Sequence, residues 1–207
     1  DVNGGPVNLG LNFPFYGASF ASVRICTNGW ISFTNTSAAR ANTALPSSAS
    51  GVPENLLAPV WDDLHFGTAR RAYYYYDGTR GIVQFQDVYR FGESSTLGNT
   101  FEIILYPTGE IVYQYLTMNA TTKNSATIGI QNAARNDGLT VVNNALYVAN
   151  NLAIRFRPPA RFLTVSPPSG TVTPGNFLDL TVGFNAGGLF GGTYDGRVRV
   201  AGNDPVR

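Results

Sequence analysis

Apolar and polar residues alternate with a period of two along most of this chain, in short runs separated by Gly, Asn, Asp and Pro. That period predicts β-strands, and the helical spacing of three and four is almost absent. Leu9 to Phe15 reads as a strand ending at the turn Pro14-Phe15-Tyr16-Gly17, and Ser22 to Cys26 as a second with Val23 and Cys26 inward. Thr27-Asn28-Gly29 is expected to be a type I′ hairpin turn, because Asn-Gly tolerates φ > 0. Trp30 to Phe33 starts the return. Residues 34–53, rich in Ser, Ala, Asn and Thr, read as a long surface loop, and Leu56 to Trp61 enters the core.

Further on, Ala72 to Tyr76, Gly81 to Tyr89, Thr100 to Tyr106, Glu110 to Tyr115, Ala126 to Gln131 and Leu152 to Phe156 complete a first set of about ten strands, enough for two packed sheets. Pro158-Pro159 interrupts the pattern and is taken as a boundary. Beyond it, Phe162 to Val165, Phe177 to Phe184 and Tyr194 to Val200 alternate again, with Leu178, Leu180, Val182 and Phe184 on one face. The fold expected is therefore all-β: a large antiparallel β-sandwich over residues 1–157 and a small, incomplete one over 158–207.

Composition sharpens this picture. Charged residues make up 13% of the 207 positions, against about 25% in ordinary soluble domains, and aromatics another 13%. With 23 Gly and 12 Pro, that describes many short strands and tight turns. The net charge is +1 and the basic residues are scattered, so no stripe tracks a phosphate backbone and nucleic acid is not expected as a partner. No apolar run approaches the ~20 residues of a membrane-spanning helix. Cys26 is the single cysteine, so no disulfide closes within the chain, and it is expected to be a small buried side chain. The opening Asp-Val-Asn-Gly-Gly suggests a processed or trimmed start.

Candidate chemistry is sparse. A Ser or Cys nucleophile ordinarily needs a base, and His65 is the single histidine, with no Gly-x-Ser-x-Gly elbow in the chain. It reads as a surface or packing residue. Asp62-Asp63 beside Trp61 is the most notable polar pair. Two carboxylates with backbone carbonyls could hold Ca²⁺ if the backbone turns there; otherwise one Asp caps a turn and the other faces water. Asp62, Asp63, Asp87, Glu93 and Glu102 show no spacing that suggests a glycosidase pair. Tyr73 to Tyr76 is a run of four tyrosines in which Tyr74 and Tyr75 are candidates for a sugar or protein interface, the alternative being aromatic cross-strand pairing. Asn35-Thr36-Ser37 and Asn119-Ala120-Thr121 have the form of glycosylation acceptors. No catalytic residue is assigned.

Two resemblances add to this reading. Leu163-Thr164-Val165-Ser166-Pro167, Pro174-Gly175, Leu180-Thr181-Val182, Gly192-Thr193-Tyr194-Asp195-Gly196 and Asn203-Asp204-Pro205 resemble the Ig-like repeats of bacterial surface and secreted proteins, of choice-of-anchor or abnormal-spindle-like type. Phe13-Pro14-Phe15-Tyr16-Gly17, Thr27 to Phe33, Leu57 to Leu64, Thr100 to Leu105 and Ala126 to Gln131 resemble nidogen-like extracellular β-sandwiches. The resemblances imply a non-catalytic module of a secreted or cell-surface bacterial protein.

Relative to those families, the second unit stops before its last strand and the first begins one strand late. Either the chain is trimmed or another chain supplies the strand. The resulting expectation is a structural or adhesive subunit, partnered by copies of itself or by neighbouring domains, with residues 1–8 as the donated strand. The rival expectation is a carbohydrate- or protein-binding accessory module of a secreted hydrolase. No cofactor is expected beyond the calcium considered for Asp62 and Asp63.

Overall fold

The computed structural model describes residues 1–68, 71–93, 98–158, 162–186 and 196–203. The chain divides into two compact units, Asp1–Arg157 and Pro158–Arg207. The first contains β1 (Asn3–Phe15), β2 (Ala18–Cys26), β3 (Trp30–Ser32), β4 (Leu56–Trp61), β5 (Leu64–His65), β6 (Arg71–Tyr76), β7 (Gly81–Arg90), β8 (Asn99–Leu105) and β9 (Ile111–Thr117). A single helical turn, α1 (Thr122–Ser125), precedes β10 (Thr127–Gln131), β11 (Gly138–Asn143) and β12 (Leu152–Phe156). One sheet runs β1-β2-β3-β4-β10-β11, and the other runs β12-β9-β8-β7-β5, with β6 also paired to β7. Every pairing is antiparallel, so the fold is the expected all-β sandwich.

The alternation explains how the sheets close. Val83 and Phe85 on β7, Phe101 and Ile103 on β8, and Tyr113 and Tyr115 on β9 are buried. They meet Leu9, Phe13, Val23, Ile31 and Leu57 of the facing sheet in one core. Tyr113 and Tyr115 cross that core to reach backbone: their hydroxyls donate to the Gly129 carbonyl at 3.0 Å and the Pro59 carbonyl at 2.9 Å. Burial raises both phenol pKa values well above the ordinary range.

Cys26 and Val23 are both fully buried, but in different places. They are three residues apart and so face opposite sides of β2. Val23 joins the central core, while Cys26 joins a second cluster with Trp30, Leu45, Val52, Leu56, Ala58 and Trp61. Leu45 and Val52 belong to the segment expected to be a surface loop. That segment instead lies over the outer face of the first sheet. Trp30 Nε1 and Trp61 Nε1 both donate to the Ala39 carbonyl, at 2.8 and 3.0 Å. Thr140 Oγ1 donates to the Leu45 carbonyl, and Asn42 Nδ2 to the carbonyls of Trp61 and Ser125. Small residues such as Ala38 and Ala39 let the loop backbone come close enough to accept from both indoles. Burial pushes the Cys26 thiol up to about 12, which leaves it inert at neutral pH.

The start of the chain is part of the first sandwich. Residues 1–8 are already paired: Asn3 with Cys26, Gly4 with Ile25, Val7 with Val23 and Asn8 with Ser22. A register shift between Gly4 and Val7 takes Pro6, which has no N–H to give, out of the ladder. Arg24 then clamps the segment, donating to Asn3 Oδ1, the Asn3 carbonyl and the Gly5 carbonyl. Residues 1–8 are therefore an edge strand of this sandwich and not a free donor.

Two hairpins share one loop design. Cys26 pairs with Trp30 and Leu105 with Ile111. The Gly29 and Gly109 amides donate back to the Cys26 and Tyr106 carbonyls, with Gly29 and Gly109 at φ +74 and +85. The type I′ turn expected at Asn28-Gly29 is thus replaced by a turn in which only the glycine has φ > 0. Asn28 is held by its side chain, which accepts from the Leu64 amide and donates to the Ala38 carbonyl.

The second unit holds β13 (Leu163–Ser166) and β14 (Thr181–Phe184), paired antiparallel. Residues 177–180 and 196–200 are not in regular strands, contrary to the alternation read there. The rest of that last expected strand, Tyr194 and Asp195, and the turn from Asp204 lie outside the described residues. None of the described side chains of this unit is buried.

Candidate functional site

Asp62 and Asp63 sit where β4 ends and the backbone turns, with the Leu64 amide donating to the Asp62 carbonyl. Asp62 is buried. One of its oxygens accepts from the Asp63 amide at 2.8 Å, and the other from Arg90 Nε at 3.1 Å and from the Ser125 hydroxyl. Asp63 is paired with Arg40 at 3.6 Å. The two carboxylates diverge toward different arginines, and no cluster of three or more His, Cys, Asp or Glu capable of holding a metal occurs among the described residues. The arrangement is a strand-end lock: Arg90 joins β7 to the end of β4 and also reaches Glu93 at 3.7 Å.

His65 is exposed and its Nδ1 accepts from the Gly67 amide at 3.0 Å, with the Tyr89 hydroxyl 2.8 Å away. Neither partner is a nucleophile of the Ser or Cys kind. Asn35 Nδ2 donates to Glu54 at 2.6 Å, and Asn119 Nδ2 to Glu93 at 3.1 Å, so both acceptor-like asparagines have their amide nitrogens engaged.

The four tyrosines split by face. Tyr74 turns inward, packs on the central core and donates its hydroxyl to the Leu9 carbonyl. Tyr73 and Tyr75 point outward, 44% and 65% exposed. Tyr74 and Tyr75 therefore do not form one surface. The outward pair is Tyr73 with Tyr75, since neighbours on a strand face opposite ways. Register sets what stands beside them. Tyr73 lies opposite Gln84, Gln84 opposite Glu102, and Glu102 opposite Gln114. Strand order places Gln84 in line with Glu102 and Gln114.

A third surface lies on the second unit. Val165 pairs with Val182 and Leu163 with Phe184, so these four share one face of the β13–β14 ribbon. Leu178 and Leu180 precede Val182 and Phe184 on the chain. Phe177 and Phe184 are 84% and 75% exposed.

A family model described as NIDO related matches residues 1–161. The chain belongs to the NIDO-related family. The match spans the whole first sandwich of this NIDO-related chain and ends just past the Pro158 boundary. No curated protein and no solved structure matches it significantly. No helix among the described residues of the NIDO-related chain is long and apolar enough to cross a membrane.

Proposed function

We propose that this chain is a non-catalytic structural or adhesive module of a secreted or cell-surface bacterial protein, joined to its neighbours by strand addition at the second unit. Membership of the NIDO-related family supports the extracellular, non-catalytic part of the reading. The observation that carries the joining is the ribbon: Leu163, Val165, Val182 and Phe184 stand in register on one face, with no buried side chain among the described residues of that unit. A two-stranded ribbon is marginal in water, and three or more strands with a covered face are needed for independent stability.

An added strand would satisfy an open ladder edge and cover that face. Each fully buried Val, Leu or Phe contributes about 1.5–3 kcal/mol. The donor is a strand of another copy or of a neighbouring domain. It is not residues 1–8, which the first sandwich uses itself.

The test is light scattering of the full chain across a concentration series, with Val182→Asp and Phe184→Asp as variants. Concentration-dependent assembly lost in both variants, with the first unit still folded, supports the reading. A chain that stays monomeric, or assemblies indifferent to both substitutions, would refute the self-assembling form.

A further inference from the structure

The outer face of the second sheet carries a row of polar side chains that the fold itself leaves unused. Gln84 on β7, Glu102 on β8 and Gln114 on β9 lie directly opposite one another. Their neighbours in sequence, Val83, Phe85, Phe101, Ile103, Tyr113 and Tyr115, are buried, which fixes the three on the outward face. Among the described residues, no hydrogen bond or ion pair engages any of the three side chains. They line a groove of about 430 Å³ together with Thr100, Leu116 and Ala153.

At one end the row continues into Tyr73, opposite Gln84, and at the other it meets Ala153, whose short side chain leaves that end open. With strands about 4.8 Å apart, Tyr73 to Gln114 spans roughly 14 Å. The adjacent row on the same face is apolar: Tyr75, Ile82, Ile104 and Val112, again in register.

We propose that this groove binds a neutral oligosaccharide. A sugar ring has apolar C–H faces and an edge of hydroxyls, each both donor and acceptor. Two amides offer two donors and one acceptor each, and the carboxylate accepts. Exposed Tyr73 and Tyr75, with half-buried Ile82 and Val112, offer surface for the C–H faces, while Ile104 is covered. Other ligand classes fit less well. Calcium wants six to eight oxygens from charged or carbonyl ligands, and one carboxylate stands here. An anion would face Glu102. Burial raises the Glu102 carboxyl pKa, partly opposed by the charge of Arg80, as for a group that still lacks its hydrogen-bond donors.

The full chain should be applied to an array of neutral gluco-, manno-, galacto- and xylo-oligosaccharides and acidic uronate oligosaccharides, with positive signals titrated by calorimetry and CaCl₂ titrated alone alongside. At least one neutral oligosaccharide should bind, and Gln114→Ala, Glu102→Ala and Tyr73→Ala should each weaken it about tenfold. Ser19→Ala on the opposite sheet, and the Val182→Asp variant of the second unit, should bind within about twofold of the parent. Gln114 is exposed, so Gln114→Ala keeps its thermal unfolding and remains informative even if Glu102→Ala does not fold. No signal on any neutral sugar, a preference for acidic glycans, heat from CaCl₂ alone, or parental affinity in Gln114→Ala would each overturn the proposal.

Discussion

The two units of this chain are written in the same alternating code and end in opposite states. In the first, the inward faces of two sheets meet: Tyr113 and Tyr115 of one sheet cross the core to the Gly129 and Pro59 carbonyls of the other, at 3.0 and 2.9 Å. In the second, Val182 and Phe184 stand on an equally regular strand and remain 39% and 75% exposed. Periodicity decides which face of a strand is apolar. Whether that face becomes a core depends on a second apolar face arriving within reach.

The comparison breaks if matched truncations cost the same in both units. Trp61→Ala should destabilise the first unit by about 3–5 kcal/mol, because a fully buried indole and its bond to Ala39 are lost. Leu180→Ala should fall within about 0.5 kcal/mol, as befits a side chain 38% exposed with little cavity to leave. Chemical denaturation followed by circular dichroism measures both, and similar values would mean the second unit carries a core of its own.

Next in size is Tyr115→Phe. It leaves the Pro59 carbonyl without its donor inside the sandwich, at a cost of about 1–3 kcal/mol in the same measurement. A neutral outcome would mean another donor replaces the phenol. Alkali probes the same hydroxyls. For Tyr113 and Tyr115, the folded pKa is raised, chiefly by burial, above the unfolded value of about 10. Their contribution is complete below pH 10 and is lost as pH rises above it. Absorbance at 295 nm should therefore show these two phenols ionising only together with unfolding. Ionisation of all tyrosines in a single early step would contradict the burial.

The smallest effect should come from Asp77→Asn in the exposed turn between β6 and β7. There the carboxylate accepts from the Thr79 and Arg80 amides, the Thr79 hydroxyl and Arg80 Nε, which hold its pKa well below the usual range. Thermal unfolding above pH 5 should drop slightly relative to the parent. The two proteins should converge as acid neutralises Asp77, since a depressed carboxyl stabilises only while it is ionised.

Much of the first unit was legible in the sequence. The hairpin at 27–29, the buried run Leu56–Trp61 and the strands over 81–89, 100–106 and 110–115 follow from turn residues and period alone. What escaped had specific physical reasons. Asn3-Gly4-Gly5-Pro6 reads as loop composition, yet a bulge lets it pair. β11 was missed because Gly138 to Asn143 shows no clean alternation: Leu139 is exposed and the rest are half-buried. Residues 34–53 have the composition of a surface loop, and nothing local reveals that two indoles wait for its carbonyl. For the candidate sites, Tyr74 and Tyr75 were singled out by composition, but pleat geometry puts them on opposite faces. The line from Tyr73 to Gln114 depends on strand order, which no single segment encodes.

Both tryptophans of the chain sit in the cluster beneath residues 38–52, and both indoles point at Ala39. Intrinsic emission from this protein is thus a gauge of that strap and not of the space between the sheets. Should the strap lift while the sandwich stays closed, the emission would shift to the red with the strand signal unchanged. The molecule carries its own optical label for that one movement.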